Sequence, residues 1–140
     1  MDYGKQERIC HLELIQGVIT RMSQNSFLCK GWSVSVVAVL FALAAKDANE
    51  RYALLAVLPA VAFWSLDAYY LRQERMFRGL YDAVRLGTLD SDPFTMAAAQ
   101  HVSPSPSWWS LIWSITVAPL HGSILLILLA VVGTCVLRAW

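Results

Sequence analysis

The chain has 140 residues, enough for one domain and no more. Apolar residues make up 57% and charged residues 15%, where a typical soluble domain is nearer ~45–50% and ~25%; this is the balance of a small membrane protein. A net charge of +1 excludes a whole-chain basic field aimed at nucleic acid, so no nucleic-acid partner is expected.

Three cysteines, Cys10, Cys29 and Cys135, are odd in number and irregular in spacing, and no CxxC occurs. Neither a disulfide framework nor a structural zinc site is expected from them, and no metal or cofactor is implied. The first apolar run starts only after a charged, amphipathic segment, so insertion through internal helices is expected rather than a cleaved secretory signal.

In chain order, residues 7–27 read as a helix. Leu12, Ile15, Ile19 and Met22 recur at three and four residues and form one apolar stripe, with polar residues on the rest of the wheel. That pattern suits water or a membrane surface. Residues 28–45 are the first span, with Lys30 near its start; 18 residues lie within the usable range of ~17–25. No breaker separates it from the preceding helix, so one continuous helix is expected. A six-residue polar turn, Lys46 to Arg51, follows.

Residues 52–70 form the second span, with Pro59 near its middle; a kink is expected there, tolerated when neighbouring helices cover the freed backbone groups. Residues 71–86 continue this helix with heavy charge and no break. Residues 87–107 read as a linker with one short helix, started by Asp92 as N-cap and Pro93 as first helical residue. Residues 109–137 read as a third span. Trp108, Trp109 and Trp113 at its start suit the headgroup zone. The expected fold is therefore all-α and integral to a membrane: a single domain of three spans, with an antiparallel helical hairpin extending into the cytoplasm.

Basic residues set the orientation. Lys5, Arg8, Arg21 and Lys30 precede or begin the first span, and Arg72, Arg75, Arg78 and Arg85 follow the second. Only Lys46, Arg51 and Arg138 fall on the other side. By the positive-inside rule the N-terminus lies in the cytoplasm and, with three spans, the C-terminus outside.

Folding the first two spans about the turn puts Lys30 and Asp67 at equal distance from its centre, between Ala48 and Asn49. The one cation near the inner end of the first span is level with the one carboxylate of the second. A lone charge at mid-bilayer costs ~2.5–3.5 kcal/mol on insertion scales, so an intramembrane ion pair Lys30–Asp67 is expected just inside the boundary. A pore-lining role and a proton relay remain alternative uses of Asp67. The same register brings Arg21 near Glu74 and Glu13 near Arg85, and packs Ile15, Ile19 and Met22 on Phe77, Leu80 and Tyr81.

Arg72, Arg75, Arg78 and Arg85 make a cytoplasmic basic surface, either simply solvated or apposed to anionic headgroups at ~1 kcal/mol per cation. A nucleotide or phosphate ligand is a third reading, which no Gly-rich loop supports. In the third span, Pro119, His121, Gly122 and Ser123 form a helix-packing or polar site: proline to kink, Gly122 and Ser123 for close approach, His121 to bond across an interface. No HExxH, GxSxG, Walker A or GxGxxG occurs, and no catalytic residue or enzyme activity is expected.

The run "HLELIQGVITRMSQNSFLCKGWSVSVVAVLFAL", joined through a short turn to "FWSLDAYYLRQERMFRGLYDAVR", resembles small bacterial membrane proteins of the SLATT type. The likeness covers residues 7–86 and rests on layout and on Asn25, Lys30, Asp67, Tyr70, Glu74, Arg75 and Tyr81. The third span lies beyond that family's two-span layout. The resemblance implies an inner-membrane effector of a conflict or antiphage system that forms pores. The expected function is a homo-oligomeric, membrane-perturbing or pore-forming effector in a bacterial inner membrane. The alternative is a non-conducting anchor or scaffold that binds a cytoplasmic protein through its charged stalk. Association of copies is expected because three thin helices would leave Ser33, Ser35, Ser114, Thr116 and His121 uncovered.

Overall fold

The computed structural model describes residues 3–47, 51–88, 94–101 and 106–139. Described elements are all helical: α1 (Tyr3–Asp47), α2 (Arg51–Leu86), α3 (Ala98–His101), α4 (Trp108–Ile112) and α5 (Ala118–Ala139). The Asp92 N-cap, Pro93 and the centre of the hairpin turn lie outside the described residues.

The 45 residues of α1 run unbroken through the change from polar to apolar sequence. No proline interrupts them, and at 1.5 Å per residue the rod is about 68 Å long, roughly twice a hydrocarbon core. α2, with 36 residues, returns antiparallel beside it and carries Pro59 inside the helix without ending it. Ala56 and Ala60, on either side of that proline, are buried with Val37 of α1 and Leu128 of α5. Small residues one turn apart let neighbouring helices pack closely at this level.

The polar halves of α1 and α2 close over their own core. Ile15 and Ile19 pack with Met76, Leu80 and Val84, and Leu12, Phe77 and Tyr81 flank them. Ala98 of α3 joins this cluster, so residues 94–101 lie against the far end of the pair. His11 fixes the same contact, with Nε2 3.0 Å from the Thr95 carbonyl.

α2 ends at Gly87, whose φ of 70° is left-handed. The Gly87 amide donates to Val84 and the Thr88 amide to Ala83, at 3.2 and 3.0 Å, a paired closure that satisfies the last carbonyls. A Cβ there would meet nothing within 4 Å, so the only penalty of Gly87→Ala is backbone strain. That change should cost roughly 1–2 kcal/mol, seen as a lowered thermal midpoint.

α1 and α2 are long and apolar enough to cross a membrane; the apolar stretch of the last helix among the described residues, Ala118–Thr134, is shorter. The third span expected over 109–137 is therefore corrected. The segment divides into α4, a turned stretch at 113–117, and α5. Ser114 makes the break: its carbonyl accepts the Val117 and Ala118 amides, and its hydroxyl accepts the Thr116 amide at 3.2 Å. Pro119 then falls in the first turn of α5, where a missing N–H costs nothing, and starts this helix rather than kinking it.

Candidate functional site: a buried ionic junction of three helices

At the level where α1 and α2 change from polar to apolar, Asp67 points inward and is 0% exposed. Lys30 reaches it across the pair, with Nζ 2.7 Å from Oδ1 and 2.6 Å from Oδ2. Ser26, one turn before Lys30 on the same face of α1, donates its hydroxyl to Oδ1. The same Ser26 oxygen accepts a hydrogen bond from Lys30 Nζ at 3.0 Å. From α5, His121 Nε2 lies 3.1 Å from Oδ2. A carboxylate only accepts, so Nε2 carries the proton and donates. His121 Nδ1 is buried without a hydrogen-bond partner in the structure.

Local packing sets each of these side chains. Trp64, three residues before Asp67, stacks on His121 with centroids 6.3 Å apart and planes at 12°. Its indole N–H donates to the Ile112 carbonyl at 3.1 Å, and Trp113 meets it edge-on at 5.6 Å. Leu111 and Val117 bury against Leu71 and Trp64. Arg72 Nε donates to the Pro106 carbonyl at 3.1 Å. Residues 106–121 are thus strapped onto α2, and the strap delivers His121 to Asp67. Trp64→Phe should retain most of the stack, lose the bond to Ile112, and lower stability by about 0.5–1.5 kcal/mol, read as a fall in thermal midpoint.

Chemically this junction is closed. The carboxylate accepts hydrogen bonds from an ammonium, a hydroxyl and an imidazole. Ser26 donates a hydrogen bond to Asp67 and accepts one from Lys30, so its hydroxyl is taken up within the clamp. The arrangement clamps three helices at one depth. Lys30 is the one member with an opening to the outside, its side chain 22% exposed.

The expected basic surface is divided by local pairing. Arg78 binds Glu74 at 2.8 Å, and Arg85 lies 3.3 Å from Asp82. These contacts replace the expected Arg21–Glu74 and Glu13–Arg85 pairs, because partners three or four residues apart on one helix need no register between helices. Arg72 is drawn to Pro106. Arg8 donates to the Arg85 carbonyl at 2.6 Å, which ties the ends of the two rods. Arg75 is exposed and stands apart from these pairings.

The expected helix-packing group of α5 comes apart. Only His121 is buried, at 1% exposure. A Cβ on Gly122 would meet nothing within 4 Å, so Gly122 marks no close approach in this chain. Ser123 is exposed and donates to the Leu120 carbonyl, and Pro119 is exposed in the first turn. Ser33 and His121, expected to need a second copy for cover, are buried within one chain. No group of three or more His, Cys, Asp or Glu among the described residues could hold a metal ion.

Ser26 and Trp64 were not singled out from the sequence. Ser26 had a signal, four residues before Lys30 and so on its face; Trp64 stands three before Asp67. His121 was noticed without its partner, since no turn fixes the register of α5 against the hairpin. No protein family, curated protein or solved structure matches this chain.

Proposed function

We propose that the chain is a small bacterial inner-membrane protein of the SLATT type. In this reading its α1–α2 hairpin crosses the bilayer with the apolar halves and presents the polar halves as a rigid stalk in the cytoplasm. Copies of it assemble, and the stalk receives a signal that the spans convert into perturbation of the bilayer. One observation carries the reading: stalk and span are the same two unbroken helices, clamped by the Lys30–Asp67–His121 junction where they leave the apolar zone. A displacement of the stalk therefore cannot be absorbed by a loop before it reaches the spans. Apolar side chains on the outer faces, among them Trp32, Val39, Leu54, Leu58 and Leu66, suit contact with lipid or with a second copy.

The test is induced expression in bacteria with a potential-sensitive dye. Loss of potential and arrested growth are expected, and both should disappear in Asp67→Asn, whose clamp is broken. Unchanged potential and growth, with neighbouring genes also supplied, would remove the effector reading.

A non-conducting anchor is the second reading, favoured by the outer faces of the spans. Their exposed side chains are overwhelmingly apolar, and exposed Ser35 turns its hydroxyl to the Gly31 carbonyl. Changing the exposed Ser35 to leucine should abolish a pore. An anchor would tolerate that change and lose its cytoplasmic partner when the stalk charges are reversed.

A further inference from the structure

Beside the ionic junction, α1 and α2 leave an open cleft of about 500 Å³. Lys30, Arg75 and Arg78 supply three cations to its wall, and Glu74 the only carboxylate among the described residues. Glu74 is already held by Arg78 through Oε1, at 2.8 to 2.9 Å. Lys30 is shared with Asp67 behind it, yet its side chain remains 22% exposed on the cleft side. Arg75 is exposed and, among the described residues, pairs with no carboxylate. The hydroxyls of Ser23 and Thr116 add neutral donors. The result is a concave wall with a surplus of positive charge and fixed donors, on a chain whose overall charge is only +1.

The position of the cleft defines its ligand. It lies where the apolar halves of both rods begin, beside a clamp of their last buried charges. Phe27, 76% exposed, stands on its rim. Phe27 and Ser23 also line an adjoining hollow of about 470 Å³, whose other walls are Gln24 and Leu28. A site with cations along its wall and an exposed phenyl and leucine beside it matches a molecule with a phosphate at one end and hydrocarbon at the other. No nest of backbone amides or Gly-rich loop is present in this wall to hold a free phosphate by itself.

We infer that Lys30, Arg75 and Arg78 form a binding site for the phosphate headgroup of an anionic glycerophospholipid, whose acyl chain lies along Phe27 and Leu28. Arg75 makes the main contact, since its guanidinium is uncommitted and presents a planar fork to phosphate oxygens. Lys30 links the lipid to the junction: the same ammonium touches headgroup and Asp67. The surrounding leaflet is thereby coupled to the helix clamp. This inference rests on the membrane reading proposed above.

Native mass spectrometry of the purified chain tests it, after an alkaline carbonate wash of the cell membranes. Dioleoyl phosphatidylglycerol, phosphatidic acid and phosphatidylcholine are offered separately from detergent. The anionic lipids should be retained roughly five-fold more than phosphatidylcholine for each cation engaged. Arg75→Gln should remove most of that preference without disturbing the clamp. Arg85→Gln, at the far end of the stalk, should leave it intact. Millimolar inorganic phosphate should not displace the lipid; displacement would assign the site to a free anion and overturn the lipid assignment. Equal retention of all three lipids, or a preference unaffected by Arg75→Gln and equally by Arg78→Gln, would overturn the site while leaving the membrane reading intact. Release of the chain into the carbonate supernatant would overturn both.

Discussion

Asp67→Asn is expected to be the most damaging single substitution in the chain, lowering stability by about 3–5 kcal/mol. The amide cannot balance Lys30, and it replaces the acceptor that Ser26 and His121 both use. Lys30 is 22% exposed and can partly withdraw toward water along its flexible stem, so the lower end of that range is expected. Thermal unfolding in detergent micelles measures the loss. The double change Lys30→Met with Asp67→Leu should recover part of it, because two well-packed apolar residues remove the buried charges together. The His121 N–H and the Ser26 hydroxyl would then lose their acceptor, leaving a residual loss of about 1–3 kcal/mol. A single variant as stable as the parent would mean that the carboxylate is not the clamp.

The second large effect belongs to the stalk. Leu80 and Ile15 are both 0% exposed and belong to one buried cluster across the helix pair. Leu80→Ala should cost about 2–5 kcal/mol, the removed transfer energy plus the cavity left behind. This loss should be local. Arg8, Arg21, Arg75 and Arg78 are exposed trypsin sites on the two rods, and their cleavage should accelerate. The apolar cluster of Val37, Ala56, Ala60 and Leu128 shares no member with the Leu80 cluster, so the spans and α5 should stay associated. Unchanged cleavage would show that the stalk does not depend on this core.

Features carried by one helix or by one short turn were legible in the sequence. The apolar stripe at Leu12, Ile15 and Ile19, the absence of breakers at the change from charged to apolar residues, and the distances of Lys30 and Asp67 from the hairpin turn all follow from helical periodicity and counting. The structure puts that pair 2.6 Å apart. Alternating buried alanines at 53, 56 and 60 were visible as a spacing of three and four, but among so many apolar residues they carried no contrast.

What depended on segments with free register was not legible. The break before α5 is written in Ser114 and Pro119, yet the same residues fit a kinked continuous helix, and only the hydrogen bonds of Ser114 decide between them. His121 reaches Asp67 because Trp64, Leu111 and Val117 strap residues 106–121 to α2; no spacing rule spans those 54 residues. Pairing within one helix divides the basic surface for a similar reason. Helical neighbours such as Glu74 and Asp82 claim Arg78 and Arg85 before any distant partner can.

In the proposed membrane reading, two continuous antiparallel rods leave the bilayer at one shared depth, marked by the Lys30–Asp67 contact. Spin-label accessibility to oxygen and to a water-soluble nickel chelate, scanned along α1 and α2 in liposomes, measures that depth on each helix directly. Helical periodicity without interruption is expected on both rods, with a change from oxygen-favoured to nickel-favoured exposure within one turn of Lys30 on α1 and of Asp67 on α2. Nickel access along the full length of either rod, or changeovers separated by more than two turns between them, would contradict it.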